Sequence, residues 1–198
     1  MIRYSLAAVM AVAGVASPVL AQDSEPVADK AAIGFRVEAI TGYEDASFDS
    51  IRNGSGVLYG VGVGYDLAAG RFRFGLEAEA SDSTAKDCSA FIGGNTGCSG
   101  AGRDLYAGVR FGGMISDDML LYGKVGYTNF RQSSRFTFAS GAPDLVVHPE
   151  SDGLRLGAGT EIAVGSRTFV KAEYRFSNYE ASQSFDKHQG VIGFGLRF

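Results

Sequence analysis

The nine residues GVIGFGLRF, from Gly190 to Phe198, constrain this chain more than any other feature. In an extended chain Ile192, Phe194, Leu196 and Phe198 fall on one side, and Val191, Gly193, Gly195 and Arg197 on the other. That is a strand with one oily face and one small or polar face. The pattern recurs in about eight segments at near-regular spacing. A bilayer accepts such strands only as a closed barrel in which every edge is paired.

The other segments repeat the alternation. Ile33 to Tyr43 sets Phe35, Val37, Ala39, Thr41 and Tyr43 against Gly34, Arg36, Glu38 and Gly42. Gly56 to Leu67 sets valines and tyrosines against Gly60, Gly62, Gly64 and Asp66. Next, Phe72, Phe74, Leu76, Ala78 and Ala80 alternate with Arg71, Arg73, Gly75, Glu77 and Glu79, charges that a helix would scatter around its circumference. Arg103 to Met114 and Met119 to Phe130 place Arg110 and Lys124 on the small-residue face. Gly153 to Val164 places Arg155 and Glu161 there, and Phe169 to Tyr179 places Lys171, Glu173 and Arg175 there.

The links alternate between short (68–70, 115–118, 165–167) and long (81–102, 131–152). The first and last links, 44–55 and 180–187, are of middling length and fall on the long side. Short turns face the periplasm and long loops face outward in membrane barrels, so both chain ends lie on the periplasmic side. The expected fold is therefore all-β, an eight-stranded antiparallel up-and-down transmembrane barrel following a cleaved signal peptide. A soluble barrel of lipocalin type is the rival, but it requires apolar residues inside and charges outside. An eight-stranded lumen is just wide enough to be filled by side chains. Glycines alternating with long charges suit that interior.

Residues 1–21 carry Arg3, an apolar stretch from Leu6 to Ala16, Pro18, and small residues before Ala21, the pattern of a secretory signal. The apolar stretch is shorter than the ~20 residues of a spanning helix. Residues 22–32 then form a short periplasmic tail and residues 33–198 the barrel domain. The composition suits a small barrel, with 28 Gly, 14 Phe, 9 Tyr and no Trp. The formal net charge of −4 becomes one unit more negative once Arg3 is removed, which argues against a nucleic-acid partner.

Cys88 and Cys98 are the only cysteines. In an exported chain, flanking the segment SAFIGGNTG, they are expected to form a disulfide. Closing so short a loop stabilises it by about 2–3 kcal/mol in the chain-entropy model. A metal site lacks a nearby His or further Cys.

The segments KAEYRFSNYE (Lys171 to Glu180) and KHQGVIGFGLRF (Lys187 to Phe198) resemble the last two strands of opacity-like barrels. The whole mature chain resembles the small eight-stranded outer-membrane barrels, among them the OmpA transmembrane domain, OmpX and the opacity-type surface proteins. The resemblance implies a monomer in the outer membrane of a Gram-negative bacterium, surrounded by outer-membrane lipid. The alternation ending in Phe198 is similar to the signal by which the barrel-assembly machinery recognises its clients. Unlike OmpA proper, the sequence stops at Phe198, so no periplasmic peptidoglycan-binding domain is expected.

The interior set reads Arg36, Glu38, Asp66, Arg73, Glu77, Glu79, Arg110, Lys124, Arg155, Glu161, Lys171, Glu173, Arg175 and Arg197. Both signs are present, so the lumen is expected to be plugged by ion pairs; a narrow ion path gated by a switching salt bridge is the alternative. Some barrels of this size modify lipid A, which for a deacylase requires a Ser nucleophile, a His base and an acid. Only His148 and His188 are available. His148 falls in a long loop, and His188 is followed by Gln189 and Gly190, not by the His-x-Ser arrangement of the deacylases. Glu180 and Ser182 or Ser184 could approach His188 across the fourth loop. No catalytic, cofactor or metal residues are assigned, and no cofactor is expected; the Gly-x-Gly pairs lie within strands, not before a helix.

Loops two and three are the remaining candidates for function, since binding concentrates in long loops on rigid scaffolds. The second is pinned by the cysteines, and the third carries Phe136, Phe138, Leu145, Val146 and Val147. They suit an extracellular ligand or a host surface. Equally, RFTFA (Arg135 to Ala139) continues the strand alternation, so the loops also read as strand extensions above the membrane. Sequence leaves both open.

Overall fold

The computed structural model describes residues 33–48, 52–91, 93–180 and 185–198. The expected signal peptide (1–21) and periplasmic tail (22–32) lie outside the described residues, as do Ser182 and Ser184. Ten strands are found: β1 (Gly34–Phe48), β2 (Arg52–Ala69), β3 (Phe72–Ser83), β4 (Lys86–Ala90), β5 (Thr96–Met114), β6 (Met119–Thr137), β7 (Leu145–Val147), β8 (Glu150–Ala163), β9 (Thr168–Glu180) and β10 (Phe185–Arg197).

Eight of them form the wall, in the ring order β1, β2, β3, β5, β6, β8, β9, β10, and the pairing of β1 with β10 closes it. All pairs are antiparallel, so every wall strand has two neighbours and no open edge faces lipid. The short connections lie where expected; the tightest, at Gly70 and Arg71, turns on Gly70 with φ of 60°, a conformation that favours glycine.

The outer surface is bulky and apolar. Leu76, Val61, Ile192 and Phe72 are each more than 60% exposed, while Arg36 and Arg175 are 0% exposed. A protein dissolved in water inverts this arrangement. Tyrosines 43, 59, 127 and 174 lie toward the outer rim, and Phe35, Tyr65, Phe72, Phe74 and Phe111 toward the periplasmic one, forming the two aromatic girdles of a membrane barrel.

The wall strands run further than the alternation alone suggested. β5 begins at Thr96 and β6 ends at Thr137, so most of loop two and the start of loop three are strand. β4 folds back on β5, and β7 on β6, making a four-stranded antiparallel sheet β4-β5-β6-β7 that rises above the barrel on one side. A bulge between Ala101 and Asp104 of β5 marks where the wall becomes this sheet.

Candidate functional site: the charged lumen and the extracellular sheet

Register explains how an eight-stranded lumen accommodates so many long side chains. Arg36 and Glu38 of β1 stand directly opposite Gly64 and Gly62 of β2. Lys124 stands opposite Gly157, and Lys171 opposite Gly193. Each glycine vacates the space its partner's side chain occupies: a Cβ on Gly64 would lie 2.7 Å from the Arg36 guanidinium, and one on Gly62 2.7 Å from the Glu38 carboxylate. The small-or-charged face is thus a set of complementary pairs.

All fourteen charged residues that the strand pattern assigned to the interior lie in the lumen and are buried. Glu44, Asp104, Lys187 and Gln189, outside that set, join them, with the hydroxyls of Ser81, Thr128 and Ser177. Among the described residues the lumen holds eight buried carboxylates and nine buried cations, so charge nearly balances within it. The groups sort into three layers.

At the periplasmic end, Asp66 Oδ2 accepts from Arg36 Nε at 3.0 Å and Arg197 Nη2 at 3.2 Å. Glu161 accepts from Arg110 at 2.7 Å and Arg197 at 2.8 Å. Arg36 reaches upward to Glu77 at 2.6 Å, linking this layer to the next. The Arg110 guanidinium stacks 3.7 Å from the centre of the Tyr122 ring. Arg73 closes the mouth by donating to the carbonyls of Gly70 and Phe72 at 2.6 and 2.9 Å.

In the middle, Lys124 Nζ lies 3.0 Å from both Glu77 and Glu79 and 2.8 Å from Glu173. Lys171 pairs with Glu38 at 2.6 Å, and Arg175 bonds to Glu79 at 2.8 Å and also to Glu173. The Tyr122 hydroxyl donates to Glu173 at 2.6 Å. At the outer end, Asp104 accepts from Arg155 (2.6 Å), Lys187 (3.1 Å), Thr128 (2.9 Å) and Tyr179 (3.2 Å). Lys187 is shared with Glu44 at 2.9 Å, which also accepts from Gln189 at 2.9 Å. Phe130, Tyr179 and Phe185 pack over this layer, with the Tyr179 and Phe185 rings stacked 4.8 Å apart.

Above the lumen, Cys88 and Cys98 are direct register partners and are joined by a disulfide. It ties β4 to β5 at the base of a small aromatic cluster. Phe136 lies 5.7 Å from Phe91 and 5.0 Å from Phe138, ring centre to ring centre. Gly97, opposite Phe136, leaves room for the Phe91 ring. Ala139 N donates to Asn95 Oδ1 at 3.0 Å, so the tips of the two loops are bonded together. Leu145, Val146 and Val147 on β7 are exposed.

Neither histidine lies in the lumen. His148 is exposed between β7 and β8. His188 points out of the wall, where its Nδ1 is hydrogen-bonded to the Tyr174 hydroxyl at 2.6 Å and its ring packs on Phe176. Two residues along the same face is Gly190, which offers no nucleophile. Phe198 sits at the periplasmic end of the seam, its N–H donating to Phe35 O at 2.8 Å. No described group of His, Cys, Asp or Glu is arranged to hold a metal ion.

A closed ring of eight strands, apolar outward and salt-bridged inward, is the architecture of an integral outer-membrane protein. The chain belongs to the outer membrane protein β-barrel domain family, whose model matches residues 6–198. It resides in the outer membrane of a Gram-negative bacterium. Among solved structures, Neisserial surface protein A is similar, with a TM-score of 0.54 and 17% identity over 83% of this chain and 97% of that one. Ail, the attachment invasion locus protein of Yersinia pestis, also has a TM-score of 0.54, with 16% identity over 84% of this chain and 99% of that one. At these identities the likeness is one of fold. No curated protein matches the sequence.

Proposed function

We propose that this protein is a closed, non-catalytic barrel whose lumen is sealed by ion pairs and whose work is done outside the cell by the sheet β4-β5-β6-β7, in surface interaction and envelope integrity. The observation that carries this reading is the stack of three buried charged layers that fills the lumen from end to end. Arg36 joins the periplasmic layer to the middle one, and the outer layer is roofed by Phe130, Tyr179 and Phe185. An ion passing through would have to part several buried pairs at once, each costly to leave unpaired. Among the described side chains His188 is bonded to the Tyr174 hydroxyl and not to a serine or cysteine, which fits a non-enzymatic role. The exposed apolar residues of β7, on a rigid disulfide-tied scaffold, suit contact with an extracellular ligand or host surface.

Planar-bilayer recording tests the seal. The purified wild-type barrel is expected to show little or no steady conductance, and Lys124→Ala to show more, because it removes the cation shared by Glu77, Glu79 and Glu173. A large, stable wild-type conductance would overturn the sealed reading and favour a narrow channel.

A further inference from the structure

Above the outer tyrosines, the charge of the wall is sorted by side. The outward faces of β4, β5 and β6 carry Lys86, Arg103, Arg131 and Arg135. Arg131 stands two outward-facing positions beyond Tyr127, and Arg103 is tied to Asn129 at 2.9 Å. Glu150 serves two of these cations, accepting from Arg131 Nε at 2.8 Å and lying 3.6 Å from Arg103. Arg135 lies 3.9 Å from Asp144, and its side chain is 64% exposed. Lys86 runs across its partner Gly100, and no described ion pair engages it. Asp82, on neighbouring β3, accepts from the Ser83 amide. The four cations thus outnumber the carboxylates Asp82, Asp144 and Glu150, with Lys86 and Arg135 the least compensated.

The far side of the barrel is acidic. Asp45 on β1 stands one outward-facing position beyond Tyr43, Glu180 on β9 and Asp186 on β10 continue the arc, and Asp152 on β8 lies at its edge. Asp152 is the direct register partner of Glu180, an arrangement of like charges that costs stability unless something offsets it. The described donors to this arc are neutral: Asn178 to Asp186 at 2.7 Å, and Tyr127 and Asn129 to Asp152. Every described Lys or Arg of the outer rim is on β4, β5 or β6; those of β8, β9 and β10 are buried in the lumen. Around the ring, β8 separates the two arcs on one side and β2 and β3 on the other, so they face nearly opposite directions.

A barrel in a membrane does not turn over. Neighbouring copies share one orientation, so one side of a copy meets the opposite side of the next at the same height above the bilayer. We propose that the two arcs form a head-to-tail contact between copies of this chain in the plane of the membrane, with Lys86 and Arg135 of one copy against Asp45, Glu180 and Asp186 of its neighbour. Such a contact is heterologous: each copy keeps one free arc, so association extends into rows and does not stop at a closed dimer. Rim pairs are individually weak and are screened beyond about 8 Å at physiological salt. The contact therefore depends on several charges acting together, and the barrel is a monomer when dilute.

Förster energy transfer between donor- and acceptor-labelled copies of the intact barrel, reconstituted in phosphatidylcholine vesicles, tests this. Wild type at low salt is expected to exceed the transfer of randomly placed copies. Sodium chloride at about 1 M, where the screening length is about 3 Å, is expected to abolish the excess. Lys86→Glu with Arg135→Glu turns the basic arc acidic, and Asp45→Lys with Glu180→Lys and Asp186→Lys turns the acidic arc basic. Each of these two barrels alone is expected to associate about tenfold more weakly, because like charges then meet. Mixed together they present opposite arcs again, and the wild-type excess is expected to return. A folding defect is not repaired by mixing, and all five positions lie outside the lumen. A mixture that stays at the random level would overturn the proposal. Wild-type transfer at the random level would overturn it too; if Lys86→Glu with Arg135→Glu then also releases lipopolysaccharide that wild type retains, the basic arc is a lipid-phosphate site instead.

Discussion

Asp104 concentrates the outer half of the lumen on a single carboxylate, accepting hydrogen bonds from Thr128, Arg155, Tyr179 and Lys187. By period two it shares a face with Tyr106, but it lies beside Arg103 at what the pattern made the start of a strand. Glu44 and Lys187 fall just outside the expected strands, and extending those alternations by one residue would have found them, whereas Gln189 falls inside the last strand on the same face as Val191. Removing Asp104 leaves Arg155 buried with neutral hydrogen-bond partners among the described residues, Ser177 and Tyr179, while Lys187 keeps Glu44. Asp104→Ala is therefore expected to destabilise the barrel by about 3 kcal/mol, the lower end for breaking a buried ion pair. The check is the urea midpoint of unfolding from detergent; an unchanged midpoint would mean that this layer carries little of the stability.

Among the elements, the hairpin of β4 on β5 is the one whose order depends on a covalent link. β4 has five residues and, among the described strands, pairs on one side only, with β5, whereas each wall strand is paired on both sides. A free edge strand of that length is marginal without help. Replacing Cys88 and Cys98 by Ser is expected to loosen the hairpin by about 2–3 kcal/mol in the chain-entropy model. Amide exchange in β4 should speed up, and Phe91 should lose its place beside Phe136. The wall should keep its exchange protection. Exchange that accelerates equally in β4 and in the wall strands would show that the disulfide supports the whole fold. The sequence offered two accounts of loops two and three; the structure finds strand as far as Thr137, and irregular chain from Phe138 until β7.

For the whole molecule, the seam between β1 and β10 is where a linear chain becomes a barrel. Twelve residue pairs close it, from Arg36 with Arg197 to Ser47 with Asp186. Phe198 lies just past the end of that ladder and contributes one backbone hydrogen bond and a ring 6.4 Å from Phe35. Its side chain is 68% exposed, so the finished barrel loses little without it. We propose that its larger role is in assembly, where the last strand is presented to the insertion machinery. Deleting Phe198 is expected to lower the amount of inserted protein at native expression, while the barrel that does insert keeps a wild-type heat-modifiable shift. Undiminished insertion would remove Phe198 from the recognition signal.

Alternation by itself determined that this chain forms strands, which face of each meets lipid, and that the faces must close into a ring, because a bilayer leaves no unpaired backbone unpunished. It also determined the interior charges that lie well inside each strand. What it could not supply was register. Whether Arg36 lies over Gly64, which three carboxylates Lys124 serves, and how Asp104 comes to face Arg155 depend on how far each strand slides past its neighbour, and parity is blind to slides of two residues. The same holds for the extracellular sheet, which arises only when residues distant in the chain are brought level by the closed wall, a contact between strands that no single strand encodes.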